Sequence, residues 1–336
     1  MMIRVAINGF GRIGRSFLRS YLMDEQARKQ LIIVAINVGP SIMENVAHMF
    51  KYDSFMGTLP YDVSSKNGIL AVDGLQIPLI GVLNPADAGW NVFDVDWVIE
   101  ATGFFTTKEK ASLHIQSGAK KVLITAPGKD VDVTIVPGVN DVMYDATHHN
   151  IVSLASCTTN ALAPMLKVLH EKFGVESAMM NTIHSYTNNQ VLLDVEARDV
   201  RQARAATMSM IPTSTGASSA IKEVYPQLTG KITGMSLRVP VGKISIVDLT
   251  FTSLHTLDKE SINQAFRDAR DNSLKNILDS TTLPLVSIDY TNNPHSVIID
   301  ELLTDVCGSH TAKVFGWYDN EYGYSCRLKD FLVAQR

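Results

Sequence analysis

The run Ser156-Cys157-Thr158-Thr159-Asn160 sets one cysteine among small hydroxyl residues, and His184 follows twenty-seven positions after it. A thiol in such a setting is a candidate nucleophile. Its thiolate is the reactive form, and a helix N-terminus or a nearby cation stabilises that form. The apolar spacing of Leu162, Met165, Leu166 and Leu169 predicts the helix. Pro164 leaves its start open: it begins near Asn160, with the proline in the first turn, or at Cys157 with a disturbance at the proline. Either start keeps Cys157 near the positive end. The bland alternative is a buried structural cysteine, which two threonines and a serine make the poorer fit. His184 closes the run Ala178–Ile183 and leads into a polar loop, where it is placed to take the thiol proton. His148, His149, His170, His255 and His310 have no linked motif. No metal-binding residues are assigned.

A second constellation opens the chain. Gly9-Phe10-Gly11-Arg12-Ile13-Gly14 matches G-x-G-x-x-G, after a strand and at the start of a helix, the context that gives this common pattern meaning. Gly9 permits the tight turn, Gly11 the close approach of a pyrophosphate, and Gly14 close helix–strand packing. The helix N-terminus then offers N–H groups to the phosphates. The second strand ends Ala35-Ile36-Asn37 and continues to Val38, with no carboxylate to accept the adenine ribose hydroxyls. A 2′-phosphate meets no repulsion there, and Asn37 or Ser41 could bond it, although no arginine is nearby to pair with it. NAD and NADP both stay open.

These residues need elements to hold them. The first half alternates short apolar strands (Ile3–Ile7, Leu31–Ile36, Trp97–Ile99, Lys121–Thr125, Thr134–Val136) with helices at Arg12–Met23 and about Thr107–Gly118. The first helix puts Ile13, Phe17, Leu18 and Tyr21 on one face. Strands alternating with helices predict a Rossmann-like doubly wound parallel sheet. The second half carries a helix over Leu162–Phe173, longer strands (Ser177–His184, Thr233–Val239, Ile244–Ser253) and a helix over Lys259–Ala269. That pattern predicts an α+β domain with a mixed or antiparallel sheet. The change falls near Ser153. The stretch Ser185–Pro212 is polar and arginine-bearing without periodicity, and a loop that long is usually functional or packed on a partner.

Composition narrows the class. The 336 residues suffice for two domains, and 46% apolar with 19% charged residues is globular composition. A formal charge of −4 gives no nucleic-acid footprint. Three scattered cysteines form no disulfide framework, and no apolar run reaches membrane-span length, so a cytoplasmic protein is expected.

Six blocks occur in the order of one known family: Ala6–Arg15, Ser156–Asn160, His184-Ser185-Tyr186-Thr187, Pro212–Ala217, Leu237-Arg238-Val239-Pro240 and Trp317-Tyr318-Asp319-Asn320-Glu321. Over nearly its whole length the chain resembles the phosphorylating glyceraldehyde-3-phosphate dehydrogenases. The resemblance implies that Cys157 attacks the aldehyde to form a thiohemiacetal, with His184 as base, and that inorganic phosphate releases an acyl phosphate from the resulting thioester. Thr187 and Arg238 match the residues that hold the substrate's phosphate. Ser156, Thr158, Thr215 and Gly216 match the site of the attacking phosphate. Arg12, Ile13, Thr102, Gly103 and Thr125 match cofactor contacts, Asn320 the nicotinamide carboxamide ligand, and Tyr324 its neighbour beside the ring. The family implies a homotetramer and a final helix that returns to the first domain. The organisation expected is therefore a dinucleotide-binding domain over 1–155, completed by about 321–336, and a catalytic domain over 156–320.

The sequence also departs from the family pattern. Val38 stands where NAD-preferring relatives usually have aspartate, and Leu83 where many carry an arginine near the adenosine. Asn189 replaces a common aspartate, Gln202 an arginine that often helps bind phosphate, and Ala161 a frequent second cysteine. The nearest rival reading is a hydrolytic erythrose-4-phosphate dehydrogenase, disfavoured by Thr187 and the Thr215-Gly216 pair. A non-catalytic binding protein is disfavoured by the intact Cys157–His184 pair, and a semialdehyde dehydrogenase by Arg238 with Thr187.

Overall fold

A computed structural model describes residues 2–335 and divides the chain into two compact units. The first comprises Met1–Pro137, Asp141–Ala155 and Ser325–Arg336; the second comprises Gly138–Asn140 and Ser156–Tyr324.

In the first unit, β1 (Ile3–Asn8), β2 (Leu31–Asn37), β3 (Val63–Lys66), β4 (Ile69–Val72), β5 (Leu75–Ile80), β6 (Trp97–Glu100), β7 (Lys121–Ile124), β8 (Val133–Thr134) and β9 (Ile151–Ser153) make one sheet in the order β3-β4-β5-β2-β1-β6-β7-β9-β8. Every pair from β5 to β8 is parallel. Such strands are covered on both faces, which is why β6 is buried at all four residues and reads as an unbroken apolar run apart from Glu100. Helices α1 (Arg12–Leu22), α2 (Glu25–Gln30), α3 (Met43–Lys51) and α4 (Lys108–Gln116) accompany this sheet. Phe17, Leu18 and Tyr21 of α1 are buried as its spacing predicted, each contributing about 1.5–3 kcal/mol. Ile13 is only half-buried.

Besides α2, α3 and β9, which the sequence pattern did not announce, two details differ from the sequence reading. The strand expected over Thr134–Val136 is the two-residue β8, and Ile135 and Val136 are buried beyond its end. The meander β3-β4-β5 was not foreseen. Its turns are Asn67-Gly68 and Asp73-Gly74, with positive φ at all four residues, the conformation of two-residue hairpins.

In the second unit, α5 (Cys157–Phe173), α6 (Ala217–Val224) and α7 (Lys259–Asp271) accompany an eight-stranded sheet. Its strands are β10 (Val175–Ser185), β11 (Ile211–Thr213), β12 (Ile232–Val239), β13 (Ser245–Ser253), β14 (Leu278–Thr281), β15 (Val297–Asp300), β16 (Asp305–Cys307) and β17 (Thr311–Tyr318). The order is β11-β12-β10-β13-β17-β15-β14, with β16 also on β17. The sheet is mixed: β10–β12 and β14–β15 are parallel, the other pairs antiparallel. β13 and β17 alternate buried and half-buried residues, so one face takes the helices. A Cβ at Gly316 would come within 2.8 Å of Met165 Sδ, which shows how closely α5 lies on β17. The last helix, α8 (Tyr322–Ala334), starts in this unit and belongs to the first from Ser325 onward.

Candidate active site

The helix-start question resolves in favour of Cys157. Ser156 is the N-cap of α5, its Oγ accepting the Thr159 N–H at 3.0 Å, and Cys157 is the first helical residue. Pro164 lies inside the helix, which runs on to Phe173 and stops at Gly174 with φ 66°. Just ahead of the cap, Ala155 has φ 53°, a left-handed conformation costly for a residue with a Cβ. The chain is bent sharply so that the thiol heads the helix.

His184 reaches that thiol from β10. Its Nε2 lies 3.7 Å from Cys157 Sγ. The register that pairs β10 with β12 sets His184 opposite Arg238, and the Arg238 guanidinium bonds His184 Nδ1 and donates to the Ser185 carbonyl at 3.1 Å. The same carbonyl lies 2.7 Å from His184 Nδ1. Burial and then the adjacent Arg238 charge push His184 down to about 3, against the raising effect of the Ser185 carbonyl. Burial raises the Cys157 thiol, while Arg238, the Thr158 hydroxyl and the Thr158 and Cys157 N–H groups pull the other way.

Tyr318 joins the surrounding elements. Its hydroxyl bonds Thr158 Oγ1 at 2.9 Å on α5 and Thr182 Oγ1 at 2.8 Å on β10, and its ring meets His184 edge-on at 6.0 Å. Burial raises its phenol. Its spacing in the block Trp317–Glu321 announces no role; half-buried and buried residues alternate along Thr311–Tyr318 and turn it inward. Thr158, expected among anion ligands, shares its hydroxyl with this phenol. Asn320 is buried, its Oδ1 accepting from Ser185 Oγ at 3.0 Å, and Tyr324 is buried as well. Thr187 is half-buried, its N–H on Gln190 Oε1. Thr215 and the exposed Gly216 start α6, where Thr215 Oγ1 accepts the Ala217 N–H at 3.2 Å. Gln202 bonds Thr213 Oγ1 at 3.1 Å.

In the first unit the glycine turn divides its labour sterically. Gly9 has φ 94°, and a Cβ there would lie 2.8 Å from the Thr102 nitrogen. At Gly14 a Cβ would fall 2.2 Å from the Gly9 carbonyl oxygen. Gly11 has no atom within 4 Å of its would-be Cβ, and α1 starts there without a side-chain cap. Open space over uncapped N–H groups suits a pyrophosphate. Arg12 ion-pairs with Asp53, its guanidinium 5.3 Å from the Phe55 ring centre. Thr102 gives its N–H and hydroxyl to Glu100, Gly103 has φ 77°, and the Thr125 N–H bonds the Glu100 carbonyl.

Asn37 differs from expectation. Its amide donates to Asn8 Oδ1 and the Val82 carbonyl, and its Oδ1 accepts from the Gly39 and Val82 N–H groups. Two donors and two lone pairs are all in use, so the side chain has nothing to give a ligand. Ser41 is likewise turned to the Val38 carbonyl, at 2.8 Å. Behind Asn37 runs a buried chain that sequence reasoning missed. Asn8 donates to Glu100, His114 Nε2 bonds the same carboxylate at 3.0 Å, and Trp90 donates to His114 Nδ1 at 3.0 Å. Because an indole nitrogen only donates, neutral His114 carries its proton on Nε2.

A doubly wound sheet with an open glycine turn, and a thiol paired with an imidazole, define a dinucleotide-dependent oxidoreductase that works through cysteine. Comparisons carry this to the family. Residues 3–108 match the glyceraldehyde 3-phosphate dehydrogenase NAD-binding domain, and 156–320 match the glyceraldehyde 3-phosphate dehydrogenase C-terminal domain. Glyceraldehyde-3-phosphate dehydrogenase 2 of Bacillus subtilis is 48% identical over 338 residues, covering 100% of this chain and 98% of that protein. The plasmid-borne glyceraldehyde-3-phosphate dehydrogenase of Cupriavidus necator is 49% identical over 335 residues, 99% and 98% of the two chains. The Streptomyces coelicolor enzyme is 47% identical over 334 residues, again 99% and 98%. The chain belongs to the glyceraldehyde 3-phosphate dehydrogenase family.

Proposed function

We propose that the chain converts glyceraldehyde 3-phosphate, inorganic phosphate and NAD or NADP into 1,3-bisphosphoglycerate, the reduced cofactor and a proton. The observation that carries this reading is the Cys157 thiol at the head of α5, with His184 Nε2 at 3.7 Å and the Arg238 cation behind the imidazole. Cys157 sulfur adds to the aldehyde carbon, and the new hydroxyl lies within reach of the same imidazole. His184 takes the hydroxyl proton as the carbon is oxidised, leaving a thioester on Cys157. A base so placed contributes roughly 10²–10⁴-fold. The dinucleotide, when bound, supplies the two-electron acceptor. Phosphate then adds to the thioester carbonyl and expels Cys157 as thiolate, a leaving group that the N–H groups of the first turn stabilise.

Arg238 and Thr187 are the groups we assign to the substrate's phosphate. Ser156, Thr158 and the Thr215-Gly216 start of α6 are assigned to the attacking one. Gly9, Gly11, Arg12, Ile13, Thr102, Gly103, Thr125, Asn320 and Tyr324 are the proposed cofactor contacts. With Asn37 saturated and Val38 apolar, nothing at the end of β2 accepts ribose hydroxyls or repels a 2′-phosphate, which favours use of both cofactors. A cytoplasmic homotetramer is the proposed assembly. The exposed Leu192, Leu193, Met208 and Met210 of the 186–210 loop support it as surface for a second copy. No helix among the described residues is long and apolar enough to cross a membrane.

Initial rates with glyceraldehyde 3-phosphate, against NAD and NADP and with and without phosphate, test the reading. Turnover that requires phosphate and accepts both cofactors is expected. Undiminished turnover in phosphate-free buffer would replace it with the hydrolytic alternative.

A further inference from the structure

Asn320 is 7% exposed, and the two ends of its amide have different surroundings. Its Oδ1 accepts from the Ser185 hydroxyl at 3.0 Å and from the Ser245 hydroxyl at 3.4 Å. Its Nδ2 has no hydrogen-bond partner among the described residues. The same amide turned over would fill the same space, so its neighbours decide which end faces outward. Ser185 decides it. That residue is wholly buried, and among the described residues Asn320 Oδ1 is the acceptor for its hydroxyl proton. With the amide reversed, the Ser185 oxygen would accept from Nδ2, and its own buried proton would be left without an acceptor. Ser245 is the weaker contact, and the Tyr318 phenol also claims its hydroxyl. Its firmer role is to accept the Ser185 N–H at 3.1 Å, which holds Ser185 in place.

The backbone braces the same contact. Two consecutive residues, Asp319 and Asn320, are gripped by the run Lys243-Ile244-Ser245. Lys243 Nζ pairs with Asp319 Oδ2 at 2.8 Å, both side chains being buried, and Ser245 Oγ reaches Asn320 Oδ1. Between them Ile244 has φ 70°, a conformation that a β-branched residue adopts only under constraint. Ile244 is buried in a cluster with Tyr290 and Ile298, and that packing holds the bend. Asp319 Oδ1 also accepts the Glu321 and Tyr322 N–H groups, so the same run fixes the start of α8. We propose that Ser185 is a positioning residue, braced by Ser245, which turns the Asn320 amide so that it presents N–H and not oxygen to the cofactor. This rests on the reading that Asn320 contacts the nicotinamide carboxamide. The site then selects a ring that carries a carbonyl acceptor, and the amino group of the carboxamide is not what Asn320 recognises.

Two dinucleotides separate the possibilities: NAD, whose carboxamide carries a donor and an acceptor, and its acetylpyridine analogue, which keeps the acceptor alone. Dissociation constants are read by calorimetry, with no turnover required. Asn320→Ala should weaken both by a similar factor, about 3- to 10-fold for one hydrogen bond. If it weakens NAD alone, Asn320 shows its oxygen, and the inference is overturned. Ser185→Ala takes the close donor away from Oδ1, which then gains more from facing water while Nδ2 turns to Ser245. The analogue should lose about 3- to 10-fold, whereas NAD, able to match either end of the amide, should stay within about twofold. A merely structural role for Ser185 would move both constants together, so equal losses, or none, overturn the inference. Each variant is decisive without the other, and one that does not fold leaves the test standing. Unchanged affinity for both dinucleotides in Asn320→Ala would sink the assignment of Asn320 to the cofactor together with the inference. Phosphate-dependent turnover with an unmoved ratio in Ser185→Ala would sink the inference and spare the proposed reaction.

Discussion

The two sites are both built where a helix starts, yet by opposite means. At the glycine turn the chemistry comes from what has been left out: no Cβ over Gly11, no side-chain cap on α1, no carboxylate at the end of β2. At the thiol it comes from what has been added. Ser156 caps α5, and an imidazole, a guanidinium and a phenol converge from β10, β12 and β17. The first is a mould for a ligand that brings its own charge. The second is a set of titratable groups whose protonation depends on their neighbours. One should therefore fail sterically, and the other chemically.

The largest effect is expected at the thiol. Cys157→Ser removes the covalent route and should lower turnover by at least about 10³-fold. Dinucleotide affinity, measured by fluorescence titration, should stay within twofold or so. A comparable loss of cofactor binding would mean that the two sites are not separable in this way.

The mould can be broken without touching a charge. Gly14→Ala puts a methyl against the Gly9 carbonyl at 2.2 Å, a contact that backbone must yield to, and should cost about 1–3 kcal/mol in urea unfolding as well as cofactor affinity. Gly11→Ala meets no protein atom within 4 Å and has an ordinary φ of −77°, so stability should hold while dinucleotide affinity falls. Equal stability losses for the two variants would show that Gly11 is structural, not open to a ligand.

The titratable site sharpens the contrast through pH. In the folded protein His184 is held down to about 3, whereas the unfolded chain titrates near 6.5. Between those values the unfolded chain binds the extra proton. The contribution to stability is therefore complete above about pH 6.5 and lost as pH falls, by about 1.4 kcal/mol per pH unit. His184→Asn should remove that slope from the acid limb of urea midpoints. An unchanged limb would place the acid sensitivity elsewhere.

What could be read in the chain follows the same division. The glycine turn is local: strand, three glycines and helix lie within a few residues, and spacing with steric rules suffices to read it. The alternation that gave a doubly wound sheet and a separate mixed sheet is also local. The thiol site is not local. His184 was assigned to the end of its strand, but its partner Arg238 lies 54 positions away and Tyr318 another 80 beyond that, joined only by strand register. Register depends on burial and pairing over the whole sheet, which one sequence does not display. Asn37 failed for a related reason. Its position offers it to a ligand, while two of its three partners, Asn8 and Val82, lie 29 and 45 positions away in the chain. Pro164 allowed two helix starts by its local rule, and the helix takes the one at Cys157.

The meander was legible and overlooked, and it supplies the smallest test. Val63-Ser64-Ser65-Lys66 is too polar to announce a strand, but Asn67-Gly68 and Asp73-Gly74 sit at hairpin spacing. Gly68 has φ 71°, and its would-be Cβ approaches only the Leu79 carbonyl oxygen, at 3.9 Å, so space is not the constraint there. Gly68→Ala should cost about 1–2 kcal/mol, the price of a left-handed residue with a Cβ. The turn belongs to the edge meander, with β5 between it and β2, and neither turnover nor dinucleotide affinity should move. A measured loss of affinity in this variant would extend the mould to the sheet edge, and the glycine turn would no longer be a self-contained site.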